Sequence, residues 1–235
     1  MNLKRIDQIP ASLSHLFFPQ LCLGCGSDLV QRDQLLCLHC EVHLNDFHFS
    51  PHPNNQVEKI FQGRLKFKAA TSAFYFVRDS LVQQLIHQLK YGNQVELGKW
   101  MGLKMAHALL LSGRFDDVTA LLPMPLFAAR QKKRGYNQAT VLCEGFASVS
   151  SLPVLSNSVI RNRKSATQTH KTRWERWHNV EGIFEVVSPG LLENQHVLLI
   201  DDVITTGATL EACGSILSAL PGLHLSIATF AYADK

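Results

Sequence analysis

The stretch 197–209, VLLIDDVITTGAT, constrains this chain more than any other. Val197, Leu198, Leu199 and Ile200 form an all-apolar run of the kind found in a buried parallel strand. Asp201 and Asp202 follow at the expected carboxyl end of that strand. Next come Thr205, Thr206, Gly207, Ala208 and Thr209, and then a helical pattern from Leu210 to about Leu220. This order sets hydrogen-bond donors beside acceptors. Thr hydroxyls and the N–H groups at a helix start donate to phosphate oxygens, and the helix dipole favours the negative charge. Gly207 permits backbone angles closed to other residues and a close ligand approach. Carboxylates only accept, so Asp201 and Asp202 suit sugar hydroxyls or a bridging metal ion. The motif therefore predicts a ligand with a sugar diol and a phosphate a short distance apart.

A second strand–loop–helix unit precedes it. Residues 118–122 (VTALL) read as a strand, Pro123-Met124-Pro125 ends it, and a helix is expected from about Ala139 to Val149. Between them lies the loop 130–138, in which Arg130, Lys132, Lys133 and Arg134 are suited to clamp a pyrophosphate. Gly135 leaves room for close backbone approach. The competing reading is a solvated basic turn. Further upstream, Asp79 or Ser80 caps a helix carrying Leu81, Leu85, Ile86 and Leu89. That helix stops at Lys90-Tyr91-Gly92-Asn93, with Gly92 the candidate for a left-handed cap. Lys90 and Tyr91 are possible ligand contacts, although the helix dipole accounts for Lys90 almost as well. A helix is expected over 96–111, and strands over 67–77, 153–160, 182–187 and 223–232. Residues 161–177, rich in cations and containing Trp174 and Trp177, read as a long polar loop able to close over an anionic substrate. Strands and helices thus alternate along this part of the chain, as in an α/β fold.

The beginning of the chain has a different character. Cys22 and Cys25, then Cys37 and Cys40, make two CxxC knuckles about a dozen residues apart, the spacing of a four-thiolate Zn²⁺ site. Four sulfur ligands leave no open position, so such a zinc is structural. Reduced thiols or a redox dithiol are the alternative. Residues 1–20 read as a short amphipathic segment with Leu13, Leu16 and Phe17 on one face. Residues 41–63, with Pro51, Pro53 and scattered histidines, read as a linker with surface histidines. The expected organisation is a small unit over 1–52, with the N-terminal helix and zinc ribbon, and a main domain over 53–235. Cys143 and Cys213 fall in helical runs and read as packing residues.

Bulk properties narrow the function. The 235 residues are 46% hydrophobic and 18% charged, ordinary for a globular protein. The net charge of +4 allows anionic partners without requiring nucleic acid. No apolar run reaches the roughly 18 residues of a membrane span, and the start lacks the apolar core of a signal peptide. The paired cysteines suit metal binding in a reducing cytoplasm. A dinucleotide-binding reading fails because no GxGxxG follows a strand, and a P-loop reading fails because no Gly-Lys-Ser/Thr follows Asp202.

VLLIDDVITTGAT resembles the phosphoribosyl-pyrophosphate (PRPP) signature of type I phosphoribosyltransferases. With the cysteine knuckles, LKYG at 89–92, LLPMPL at 121–126, KRGYNQA at 133–139 and RNRKSATQTHKTRWERWHNVEGIF at 161–184, nearly the whole chain resembles the ComF family of competence-associated proteins, with its ComFC and GntX members. The resemblance implies an α/β fold, a type I phosphoribosyltransferase-like parallel sheet flanked by helices, with a small N-terminal zinc-ribbon unit. It implies that Asp201 and Asp202 meet the ribose hydroxyls and act at the catalytic centre. Thr205, Thr206, Gly207, Ala208 and Thr209 would hold the 5′-phosphate. The loop with Arg130, Lys133, Arg134 and Gly135 would meet pyrophosphate with Mg²⁺, and 161–177 would be the mobile loop. It further implies a role in DNA uptake or DNA utilisation. Within it, two functions stand: a PRPP-dependent transferase, or a non-enzymatic adaptor that binds single-stranded DNA or a competence helicase-like protein and uses PRPP as a regulator.

Overall fold

A computed structural model of the chain describes residues 20–31, 34–162 and 183–234. The chain divides into two compact units, 1–46 and 47–235, a few residues before the boundary expected from sequence. In the first unit, helix α1 (Leu38–Leu44) starts directly after Cys37 and carries Cys40, so the second knuckle is built on its first turn.

The second unit is built on a sheet of four strands, β1 (Ala70–Tyr75), β2 (Ala120–Pro123), β5 (His196–Ile204) and β6 (His224–Tyr232). They lie in the order β1-β6-β5-β2, and every pairing is parallel. β5 and β6 are central and almost wholly buried, which is why both read as near-continuous apolar runs. β3 (Val159–Arg161) and β4 (Phe184–Val186) form a separate antiparallel pair. The helices are α2 (Gln56–Phe61), α3 (Leu81–Tyr91), α4 (Val95–Leu110), α5 (Ala128–Arg134), α6 (Gln138–Ser150) and α7 (Ala208–Ser218). α4 and α6 touch backbone to backbone. A Cβ on Gly102 would lie 2.0 Å from the Leu142 carbonyl oxygen, and one on Gly145 would lie 1.9 Å from that of Lys99. Only glycine fits at either position.

Several local expectations are corrected. The strand through 197–200 does not stop at the acids. It runs to Ile204, because Val203 and Ile204 pair with Ala231 and Tyr232 of the longer β6. Asp201 and Asp202 are therefore strand residues. The run 130–134 is helical, not a loop, and Gly135 is its left-handed cap at φ 83°. Gly92 has ordinary right-handed angles, and Asn93 carries the positive φ. The strand expected over 153–160 shrinks to β3 and a single bridge from Val154 to Leu121.

The linker expected over 41–63 is ordered structure. Asn55 is buried, accepts from the N–H groups of Val57 and Glu58 to start α2, and donates to Ala70 O at 2.8 Å. Glu58, also buried, pairs with Arg114 at 2.5 Å and accepts from the Asn54 N–H at 2.6 Å. Removing one partner of such a pair strands a buried charge and typically costs about 3–5 kcal/mol. Proline and asparagine here form a fixed bracket for α2.

Candidate functional site

The carboxyl ends of β2 and β5 face a cavity of about 180 Å³. Clefts beyond the carboxyl ends of parallel strands are where α/β sheets hold ligands. Its lining brings the acids Asp201 and Asp202 and the Thr209 hydroxyl together with the cations Lys90, Arg130, Arg134 and Arg161. The strand delivers the acids, and the last turn of α3 delivers the lysine. Lys90 Nζ lies 3.0 Å from Asp202 Oδ2. Asp201 Oδ1 accepts the Asp202 backbone N–H at 2.8 Å. Burial, and then the Asp202 carboxylate, push the Asp201 carboxyl up to about 7. The same burial beside Asp201 pushes the Cys213 thiol up to about 12. Cys213 and Cys143 are buried, as packing cysteines should be.

The cations expected to act together do converge. Lys90, Tyr91, Arg130, Lys133, Arg134 and Gly135 line one open cleft of about 680 Å³. Two contacts fix it. The Tyr136 hydroxyl donates to Leu89 O at 2.5 Å, tying the end of α5 to the end of α3. Arg134 donates to Gln138 Oε1 at 2.7 Å and lies 5.6 Å from the Tyr91 ring centroid. Gln138 is buried, which its place in a polar sequence run concealed. Asn137 caps α6, accepting from Ala139 N–H, and also donates to Met124 O at 3.0 Å.

Thr205 and Thr206 are exposed in the turn between β5 and α7, and Thr206 Oγ1 accepts the Ala208 N–H at 3.4 Å. Gly207 precedes α7 with φ 72°. A Cβ there would lie 2.6 Å from Ile60 Cγ2 and 3.0 Å from Phe61 Cε1. The close approach at this glycine thus comes from α2, behind the turn.

Arg161 was expected only as the first residue of a polar loop. It ends β3, with its guanidinium carbon 4.2 Å from the Phe127 ring centroid and 5.2 Å from that of Phe184. It lines the acidic cavity as well. Burial and then Arg130 lower its pKa. The sequence signal available for it was Phe184 in register opposite, visible only once β3 and β4 are paired. The expected mobile loop beyond Asn162, including Trp174 and Trp177, and the amphipathic segment 1–19 lie outside the described residues.

In the first unit, the sulfurs of Cys22, Cys25, Cys37 and Cys40 all lie within 4.8 Å of one another, and Cys25 and Cys37 are 3.7 Å apart. Tetrahedral Zn²⁺ with bonds of about 2.3 Å needs sulfurs roughly 3.8 Å apart, so the set fits a structural metal. Burial opposes a Cys22 thiolate, but the backbone N–H groups of Cys25, Cys37 and Gly24 outweigh it and bring the thiol down to about 6.

No family model matches the chain. It is 29% identical over 217 residues to competence protein F of Haemophilus influenzae, covering 87% of this chain and 93% of the relative. It is 25% identical over 213 residues to the DNA utilization protein YhgH of Salmonella typhimurium, covering 89% and 88%. Competence protein ComFC of Bacillus subtilis is 38% identical over 96 residues, 41% of this chain and 37% of the relative. Among solved structures, the glutamine PRPP amidotransferase of B. subtilis aligns with a TM-score of 0.39 and 18% identity, over 57% of this chain and 26% of that one. So slight a structural likeness carries no argument about function. No helix among the described residues is long and apolar enough to cross a membrane.

Proposed function

We propose that this chain, similar over most of its length to competence protein F and the DNA utilization protein YhgH, is a phosphoribosyltransferase-like protein that binds PRPP and serves DNA uptake or utilisation. One observation carries this: a single cavity is lined by Asp201, Asp202 and Thr209 and by Lys90, Arg130 and Arg134. A ligand filling it meets both carboxylate acceptors and cationic donors, and so needs hydroxyl groups and anionic oxygens. In this reading Asp201 and Asp202 accept from the ribose hydroxyls. The turn from Thr205 to Thr209 donates to the 5′-phosphate. Arg130, Lys133 and Arg134, with Gly135 allowing approach, hold the pyrophosphate. Lys90 and Tyr91 border the same anion. The carboxylates also offer the hard oxygen donors that Mg²⁺ prefers, and a bound Mg²⁺ would neutralise charge on the pyrophosphate. The four cysteines hold a structural zinc in the first unit.

Calorimetric titration with PRPP and Mg²⁺ tests the reading. Binding is expected, with ribose 5-phosphate and pyrophosphate each weaker than PRPP because each fills part of the cavity. No binding of PRPP by the wild-type chain would end it.

The exposure of Arg130, Lys132 and Lys133 on α5 favours a second reading, an adaptor that binds single strands. It predicts salt-dependent binding of an oligonucleotide that charge reversal at Lys132 and Lys133 abolishes. PRPP binding unaffected by that oligonucleotide would separate the two roles.

A further inference from the structure

A second cleft, of about 820 Å³, opens on the Phe127 side of α5. Its apolar wall is Phe127, Ala128 and Ala129, and its polar groups include Arg130, Arg161 and Asn162. No acid lines it among the described residues. The nearby Glu185 carboxylate is engaged by the Asn162 side-chain amide at 2.7 Å.

Arg161 is the unusual group here. Its guanidinium lies within 4.2 Å and 5.2 Å of two aromatic ring centroids, contacts that stabilise a planar cation without accepting its N–H hydrogens in the plane. Its Nε is buried and has no hydrogen-bond partner among the described residues. A buried donor left unpaired costs about 1–3 kcal/mol. The positive charge of Arg130 repels the same guanidinium, and the Asp201 carboxylate on its other cavity attracts it and offsets part of that repulsion. Two arginines, an unpaired donor and an open cleft without acids form an arrangement that an anion would relieve.

We infer that Arg130 and Arg161 form a second anion subsite, and that its ligand is a planar aromatic carboxylate. The carboxylate meets the guanidinium donors, and the ring lies along the wall of Phe127, Ala128 and Ala129. Inorganic anions would use the charge but leave the apolar wall wet. Neutral rings would use the wall but leave Arg161 unpaired. Because Arg130 and Arg161 also line the cavity of Asp201 and Asp202, this ligand sits beside PRPP. Its role as the second ligand of that site rests on the PRPP reading, whereas the subsite itself does not.

The full chain is titrated with benzoate and nicotinate, with benzamide and nicotinamide, and with inorganic phosphate, each with and without PRPP and Mg²⁺. The acids should bind about tenfold or more tighter than their amides, as expected for a charge-assisted hydrogen bond. Arg161→Gln should erase that discrimination while leaving PRPP affinity within about twofold, and Arg161→Lys should recover part of it. Arg130→Gln should weaken the acids and PRPP together, since Arg130 also faces the pyrophosphate, whereas Ala129→Glu, at an exposed position on the apolar wall, should weaken the acids more than the amides and serves as the check should Arg161→Gln unfold. Equal binding of acids and amides would overturn the inference, as would phosphate displacing benzoate at equal affinity. It would also fail if Arg161→Gln weakened PRPP about tenfold and kept the discrimination, since Arg161 would then belong to the phosphate cleft. Discrimination in a wild-type chain that binds no PRPP would leave the subsite standing and remove the PRPP reading.

Discussion

The two ends of β5 carry the most conspicuous polar groups of the second unit, and they behave in opposite ways. At the first residue, His196 Nδ1 lies 3.0 Å from Asp117 Oδ1, and Nε2 lies 2.9 Å from Ser226 Oγ. This is the order of a nucleophilic triad. Yet Ser226 is fully buried, and neither it nor His196 lines any of the three cavities above. Around them Lys68 pairs with Asp117 at 2.5 Å, and Thr119 Oγ1 accepts the His196 N–H at 3.0 Å. At the far end, Asp201 and Asp202 repel each other beside an open cavity, with Lys90 paired to Asp202. The array that resembles an active site keeps His196 and Ser226 buried away from those cavities, and of its three members Asp117 alone is exposed. The array that resembles no triad is strained in charge and open. Access and unsettled electrostatics, not triad geometry, distinguish the two.

The largest effect expected is on binding. The double variant Asp201→Asn/Asp202→Asn should lower PRPP affinity on the order of 100-fold, since two charge-assisted hydrogen bonds weaken together. Titration showing less than about a threefold change would break the contrast at its open end. Second, Gly207→Ala should cost about 1–3 kcal/mol in urea unfolding, from overpacking against Ile60 and Phe61 and a left-handed backbone. Third, His196→Leu should cost roughly 1–2 kcal/mol through the Ser226 and Asp117 contacts, with PRPP affinity within about twofold. A large loss of binding in a stable variant would show that the closed end is functional after all.

The pH dependence should have opposite slopes at the two ends. Asp201 is raised from 3.8 to about 7 in the folded chain, so folding takes up a proton that the unfolded chain has released. Its contribution is fully present below about 4 and is lost as pH rises towards 7. Asp201→Asn should therefore gain on the wild type in thermal melts as pH rises through that window. His196 is lowered from 6.5 by burial, so its contribution is present above 6.5 and is lost as pH falls below it. His196→Leu should flatten that acid limb. The smallest effect is that of Ser226→Ala, below about 1 kcal/mol with no change in ligand binding; a loss of activity on any ester or peptide would contradict a purely structural array.

Apolar runs made the sheet legible. Val197 to Ile200 and the residues near 120 and 224 are buried on both faces, so composition alone identified them as strands. The carboxylate pair was equally plain, because packing gives no reason to set two acids at the end of such a run. What escaped was encoded in contacts. Residues 130–134 contain four cations and show no apolar face, yet they form α5, held by Gly135 and by Arg134 on Gln138. Asn55 and Glu58 looked like linker polarity, and their burial depends on Ala70 and Arg114, which are distant in sequence. Arg161 became a site residue only when β3 met β4 and placed Phe184 beside it.

The turn at Gly207 has a consequence in time. Its shape is permitted locally, but its floor is Ile60 and Phe61, delivered by a helix from the opposite end of the second unit's sequence. Closing so long a loop is slow relative to forming the local helices. The cup between β5 and α7 should therefore be among the last features to form on refolding, arriving when Glu58 finds Arg114. In the native state the same dependence runs in reverse. A brief opening of α2 alone would dissolve the cup while the sheet stayed intact, so amide exchange in α2 should slow when the cup is filled.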